Sequence, residues 1–132
     1  MIAARDSHTK VMLNNGEVLL TAGYNSAGLL KSAEMVNSLT GIWTATGSFN
    51  VARYFHTATI QVSGKVLVVG GSGSAGILNS AELYDSSTRH WATTDNMLVV
   101  RYVHTATFLS NAKVLVAGGY VGTSLSSSEL CT

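Results

Sequence analysis

One phrase recurs three times in this chain of 132 residues, always at the same interval. It reads RYFHTAT at 53–59 and RYVHTAT at 101–107, and a weaker copy, RDSHT, occupies 5–9. From Arg5 to Arg53, and again from Arg53 to Arg101, the interval is 48 residues. A repeat of this length indicates one supersecondary unit per copy, and such units bury their faces by stacking on one another. The period therefore predicts a row of similar units.

Composition narrows the fold class and excludes several functions. Only 11% of the residues are charged and 46% are hydrophobic, whereas about a quarter of a globular chain is usually charged. Such a composition suits sheets covered on both faces rather than a helical or disordered chain. A net charge of +1 without a cluster of Lys or Arg argues against nucleic-acid binding. No apolar run is long enough for a membrane span, so we expect no membrane partner.

The single cysteine, Cys131, excludes an internal disulfide framework and a cysteine-rich zinc site. The first residues, MIAARD, lack the apolar core of a signal peptide. A lone thiol is compatible with any compartment, so the sequence assigns no localisation. We expect no cofactor.

The middle copy predicts four short strands. They are expected at 56–62, 66–69, 80–84 and around Trp91. The second is an unbroken apolar run, which is typical of a strand buried on both faces. It ends at Gly70-Gly71, and the composition of residues 72–76 predicts a loop. Four antiparallel strands in fewer than fifty residues make one blade of a propeller.

The other copies follow the same register with departures. The predicted blades span 1–48 (degenerate), 49–96 (complete) and 97–132 (partial, without a fourth strand). In copy one Ala22 replaces the first glycine, Val36 replaces the tyrosine, and Lys10 replaces Ala58. A lysine fits poorly between packed blades, although it can snorkel at an open face. We therefore expect an open arc in which copy one is the terminal blade.

The apolar run Val66 to Val69, Gly70-Gly71, Tyr84 and Trp91 together resemble the kelch repeat. The resemblance covers the whole chain. The repeats are similar to kelch repeats of long arrays and of galactose-oxidase-like propellers. It implies an all-β fold of kelch-type β-propeller blades, each a four-stranded antiparallel sheet. No catalytic residue carries over, because the copper site of galactose-oxidase-like propellers needs Tyr, Cys and His ligands from a complete ring. Cys131 stands alone, in a slot that such repeats normally fill with tyrosine.

Residues that repeat from copy to copy are predicted to be structural framework. They are Arg5, Arg53, Arg101, His8, His56, His104, Gly70, Gly71, Gly118, Gly119, Glu34, Glu82, Glu129, Trp43 and Trp91. One Arg and one Glu per copy, in a chain poor in charge, predict bidentate pairs that pin each loop to its own or the adjacent blade. The functional alternative is that the arginines recognise an acidic ligand on the propeller face.

The other framework residues also have two interpretations. The histidines start the innermost strands, where an imidazole can satisfy a backbone group. Metal binding in the channel is the alternative, but no carboxylate or thiol recurs beside the histidines in a ligand-like cluster. The glycine pairs fit strand ends better than a phosphate loop, because no helix follows them. The tryptophans suit core packing better than sugar stacking.

Specificity is expected where the copies differ. Strand alternation places the loops between second and third strands on the same rim as the links between blades, and kelch relatives generally use this rim for partners. Small polar loops with an occasional Tyr suit adaptable hydrogen bonding. The candidate binding residues are Tyr24, Asn25, Ser26, Ser72, Ser74, Asn96, Tyr120 and Thr123.

The sequence thus predicts a non-catalytic interaction module that presents its loops to a protein partner. One alternative is a fragment of a galactose-oxidase-like carbohydrate-active or carbohydrate-binding propeller, and another is a truncated product without independent activity. Flanking sequence would separate them. Propellers close with about 4 to 8 blades, so an arc of this length leaves a bare face at each end. We expect self-association through these faces, or instability.

Overall fold

The computed structural model describes all 132 residues, Met1–Thr132, and its regular elements are strands joined by turns. The strands are β1 (Thr9–Met12), β2 (Glu17–Thr21), β3 (Tyr24–Asn25), β4 (Gly28–Leu29), β5 (Ala33–Asn37), β6 (Trp43–Thr46), β7 (Thr57–Ile60), β8 (Val66–Val69), β9 (Ser72–Gly73), β10 (Gly76–Ile77), β11 (Ala81–Asp85), β12 (His90–Thr93), β13 (Thr105–Phe108), β14 (Val114–Ala117) and β15 (Ser128–Cys131). The structure has no helix that could span a membrane.

Three antiparallel sheets form the body of the fold. Sheet 1 has the order β1-β2-β5-β6, sheet 2 the order β7-β8-β11-β12, and sheet 3 the order β13-β14-β15. The register repeats between sheets: Thr9 lies opposite Thr21, and Thr57 lies opposite Val69. Strand β7 lies between β1 and β13, so the first strands of successive sheets are neighbours. The predicted all-β fold, an open arc of two four-stranded blades and a partial third, is confirmed.

Two apolar cores hold the sheets against one another. In sheet 2, Val66 and Val68 belong to the core shared with sheet 1, whereas Leu67 and Val69 belong to the core shared with sheet 3. All four side chains are at most 1% exposed. Successive side chains of a strand point to opposite faces, so the unbroken apolar run is explained by a sheet that is covered on both sides.

Two strands differ slightly from their predicted bounds. Strand β7 is shorter than the predicted 56–62, because its pairing with β8 begins only at Thr57, opposite Val69. At its other end, the N–H of Gln61 bonds to the carbonyl of Lys65 and closes the turn. The third strand of sheet 2 is shifted by one residue, to Ala81–Asp85.

The predicted loop at 72–76 contains regular structure. Strands β9 and β10 form a small hairpin, in which Gly73 pairs with Gly76, and β3 and β4 form the equivalent hairpin in copy one. Composition suggested a loop because Ser and Gly rarely form strands. The backbone pairs nevertheless, since Gly76 adopts a φ of 131° at the turn. Each hairpin connects the second and third strands of its sheet. It therefore lies at the end of the sheet where the links between sheets also lie.

Candidate functional site

The arginine of each repeated phrase lies inside the structure, where backbone and carboxylate groups surround it. Arg53 donates to the carbonyls of Gly70 and Ser80 at 2.9 and 3.0 Å, and to the Glu82 carboxylate at 3.0 Å. Glu82 in turn accepts from the backbone N–H of Asn50 at 2.7 Å. One charged cluster therefore joins the segment before β7, which we call the lead-in, to β8 and β11 of sheet 2. The pair joins parts of its own sheet.

The same cluster occurs in the other two sheets. Arg5 pairs with Glu34, and Arg101 pairs with Glu129 at 3.0 Å. All three arginine side chains are 0% exposed, so an acidic ligand has no access to them. Burial opposes ionisation of Glu129, but the N–H groups of Leu98 and Val99 and the Arg101 guanidinium bring its pKa below the ordinary value.

The repeated histidines connect neighbouring sheets. His56 of sheet 2 places Nε2 2.9 and 3.0 Å from the hydroxyls of Thr9 and Thr21 in sheet 1. His104 of sheet 3 places Nε2 2.9 Å from the hydroxyl of Thr57 in sheet 2. These nitrogens are thus in use as hydrogen-bonding partners. The structure contains no group of three or more His, Cys, Asp or Glu side chains arranged to hold a metal ion.

Acid is expected to weaken the fold through these histidines. Burial, with a smaller contribution from Arg53, lowers the pKa of His56 to about 3, and burial with Arg101 lowers that of His104 to about 4. Their unfolded pKa is about 6.5, so below that pH the unfolded chain takes up protons first. The unfolding free energy is therefore complete above about pH 6.5 and falls, by up to about 1.4 kcal/mol per pH unit for each histidine, as pH decreases toward the folded pKa.

Urea unfolding followed across this pH range measures the effect. In His104→Gln, which retains a group able to bond Thr57, the pH dependence should become shallower. His90 is exposed, so His90→Gln should leave the slope unchanged. A slope that is equal in all three proteins would contradict the assignment.

Aromatic side chains form a continuous row on the rim that carries the hairpins. Ring centroids are 5.5 Å apart for Tyr24 and Tyr54, 5.0 Å for Tyr54 and Phe55, 6.2 Å for Phe55 and Tyr102, and 5.7 Å for Tyr102 and Tyr120. We call these five residues the aromatic strip. The strip crosses all three sheets, because Tyr54 pairs through its backbone with Ser72 of the hairpin in sheet 2, and Tyr102 pairs with Tyr120 in the loop between β14 and β15.

The aromatic strip is accessible to a partner. Tyr24, Phe55 and Tyr120 are each about 40% exposed. None of the four tyrosine hydroxyls has a hydrogen-bond partner within the chain, in contrast to Tyr84, whose hydroxyl lies 2.6 Å from that of Thr46. A surface pocket of about 230 Å³ lies between Tyr24, Tyr54, Phe55 and Leu29.

The structure distributes the eight candidate binding residues over the same rim. Tyr24 and Tyr120 belong to the aromatic strip, and Ser72 pairs through its backbone with Tyr54. Asn25 is engaged in shaping its own hairpin, since it accepts from the N–H of Ala27 and donates to the carbonyl of Ala4. The remaining four are exposed and lie outside the strip: Ser26, Ser74, Asn96 and Thr123.

Three members of the strip were not predicted as binding residues. Tyr54 and Tyr102 stand at the same place in the repeated phrase, and Phe55 follows Tyr54. The sequence pattern assigned them neither to the binding face nor to the framework. One sequence signal for a binding role was available. Tyr54 and Tyr102 directly follow the framework arginines, but no framework role was predicted for these aromatic residues.

The tryptophans are placed differently from the strip. The Trp91 indole donates to the carbonyl of Gly47 at 2.8 Å, and its ring lies 4.0 Å from that of Phe49 and 4.9 Å from that of Tyr84. It packs between sheets 1 and 2. Trp43 is half-buried at the equivalent position of sheet 1, which has no sheet before it.

A second surface cleft, of about 370 Å³, lies along β15, between residues 95–98 and 128–132. The half-buried Cys131 lines it, and burial raises the pKa of this thiol. A thiol with a raised pKa is a weak nucleophile. The cleft borders the Arg101 cluster, because Glu129 lines it and accepts from the N–H of Leu98 at 2.6 Å.

Comparison with known proteins agrees with this architecture. Residues 53–98 match the family model described as the Kelch motif. That segment contains Arg53, the glycine pair, Glu82 and Trp91, and it includes all of sheet 2. No curated protein sequence matches the chain. The matched segment is therefore one kelch motif, and the phrase at its start recurs 48 residues before and after it.

Proposed function

We propose that this chain is a non-catalytic interaction module that binds a protein partner through the aromatic strip. One observation carries the proposal: five aromatic rings contact one another in a row across three sheets, on an accessible rim, with their hydroxyls unbonded. Aromatic residues that are partly exposed and held in a fixed row offer large contact area at little cost in side-chain entropy. The kelch motif, commonly an interaction repeat, supports the same direction.

The chemistry of the strip favours a protein surface with an apolar anchor. The pocket between Tyr24, Leu29, Tyr54 and Phe55 is lined only by hydrophobic side chains. The tyrosine hydroxyls beside it can bond to a partner's backbone, which is the combination of apolar body and polar tip that interfaces favour. Asp6 is the charged residue paired with the strip, through the backbone of Tyr24. A partner with an apolar side chain for the pocket and backbone groups for the hydroxyls would match these features.

The interior polar groups support a non-catalytic role. Arg53, His56 and His104 have shifted pKa values, which can mark a catalytic site. Here each is buried and bonded to framework groups. A catalytic acid or base must reach a substrate, and these side chains face the cores between sheets instead.

Site-specific photo-crosslinking tests the proposal. A photo-reactive phenylalanine analogue at Phe55 should capture a partner from an extract of the cells that make the protein. The matched control position is Leu39, which is 94% exposed on the opposite rim. The captured protein must then bind in purified form, and Tyr102→Ala should weaken it. A partner captured equally from both positions, or a purified partner indifferent to Tyr102→Ala, would overturn the proposal. Binding of defined glycans at the strip would favour the carbohydrate alternative instead.

A further inference from the structure

The two junctions between sheets are built from the same backbone bonds. The N–H of Gly23 bonds to the carbonyl of Arg53, and the N–H of Gly71 bonds to that of Arg101, both at 2.9 Å. A second series runs along the axis. There the N–H of Phe55 bonds to the carbonyl of Ser7 at 3.2 Å, and that of Val103 bonds to the carbonyl of Phe55 at 3.1 Å. Each sheet therefore presents a fixed set of groups to the next one.

At the two ends of the arc the same groups have no partner. On sheet 3 these are the N–H of Gly119 and the carbonyl of Val103. On sheet 1 the N–H of Ser7 is free, and His8 makes no hydrogen bond. In sheets 1 and 2, the groups equivalent to the free groups of sheet 3 bond to the next sheet along the chain. In sheets 2 and 3, the groups equivalent to the free groups of sheet 1 bond to the preceding sheet.

Apolar side chains at the ends follow the same rule. Met12 on sheet 1 is 65% exposed, although the residue in its slot on sheet 2, Ile60, packs into the core of the first junction. Leu130 on sheet 3 is 53% exposed, although its equivalent Leu83 packs into the core of the second junction. Over the first three strands of each sheet, the end faces are thus the two halves of one junction.

We propose that a second copy of this chain docks head to tail, with its sheet 1 on sheet 3 of the first. Continuity with the two internal junctions argues for this occupant, because the same backbone bonds, the same His–Thr contact (His8 on Thr105) and the same apolar slots are offered. Two copies supply six sheets, within the range of about 4 to 8 at which propellers close. Both end faces are then covered in a closed, two-chain ring.

One residue makes the docking testable by charge. Lys10 stands in the slot of Ala58 on the face of sheet 1 that a second copy would contact. In the first junction, Ala58 packs into the same core as Val11 of the preceding sheet. The slot of Val11 is occupied on sheet 3 by Thr107, which is exposed. In the docked pair, Lys10 of one copy therefore faces Thr107 of the other.

Sedimentation velocity of the full chain over a range of concentrations tests this contact. Wild type should form a discrete dimer. Thr107→Glu should pair with Lys10 and tighten the dimer about fivefold, and the matched Thr107→Lys should weaken it by a similar factor. Circular dichroism of the dilute proteins checks that both variants are folded. A wild-type monomer at every concentration would overturn the proposal, as would association that responds equally to Glu and Lys.

Discussion

Replacing Arg53 with methionine is expected to lower the free energy of unfolding by about 3–5 kcal/mol. The change leaves the carboxylate of Glu82, which is 0% exposed, without its counter-charge. It also removes the donors that the carbonyls of Gly70 and Ser80 receive at 2.9 and 3.0 Å. Unpaired buried groups of this kind are costly, because water cannot replace the lost partner. Denaturant unfolding followed by circular dichroism measures the loss.

The exposed ion pair of Lys65 and Asp85 provides the matched control. Its atoms are 3.5 Å apart, and the two side chains are 43% and 33% exposed. Lys65→Met removes a positive charge by the same substitution, and it should cost less than about 1 kcal/mol. If Arg53→Met is as mild as Lys65→Met, the buried pair does not hold the sheet together.

Replacing Gly71 with alanine is the second large effect, and about 3 kcal/mol or more should be lost. Gly71 has a φ of 94°, and an added Cβ would lie 2.6 Å from the carbonyl oxygen of Tyr54 and 2.9 Å from Cβ of His56. That carbonyl accepts from the N–H of Ser72 at 2.8 Å. The alanine therefore has to push the lead-in away from the hairpin, and it strains a bond that supports the aromatic strip.

Gly76→Ala separates collision from backbone strain. Gly76 has a φ of 131°, but no atom lies within 4 Å of the position of its Cβ. Only the backbone preference is lost there, so we expect a cost of about 1–2 kcal/mol by the same denaturant measurement. Equal losses in the two variants would show that close packing at Gly71 contributes nothing.

Much of the fold could be predicted because the repeat reports it directly. The period gave the number of units, and the apolar run at Val66 to Val69 required cover on both faces, which the two cores provide. The pairing of Arg with Glu was also accessible from counting, since few charges were available. Whether each pair joins parts of one sheet or connects two neighbouring sheets could not be predicted, because the sequence spacing fits both. In the structure each pair lies within one sheet.

The aromatic strip could not be predicted in full. Phe55 lies beside Tyr54 in the sequence, but it contacts the ring of Tyr102, 47 residues further on, only because sheets 2 and 3 are neighbours. No local pattern encodes that geometry. The small hairpins were missed for a related reason: their strands are two residues long, and glycine conformations rather than β-forming side chains permit them.

The central claim is that the repeated charged residues build the scaffold while the aromatic strip recognises the partner. Titration of the purified partner against Phe55→Ala tests it most directly, with Leu39→Ala on the opposite rim as control and a thermal melt of each protein. We expect Phe55→Ala to weaken binding at least about tenfold with little change in melting temperature, and Leu39→Ala to change neither. Unchanged affinity in Phe55→Ala, or a loss of affinity in Leu39→Ala, would contradict the claim.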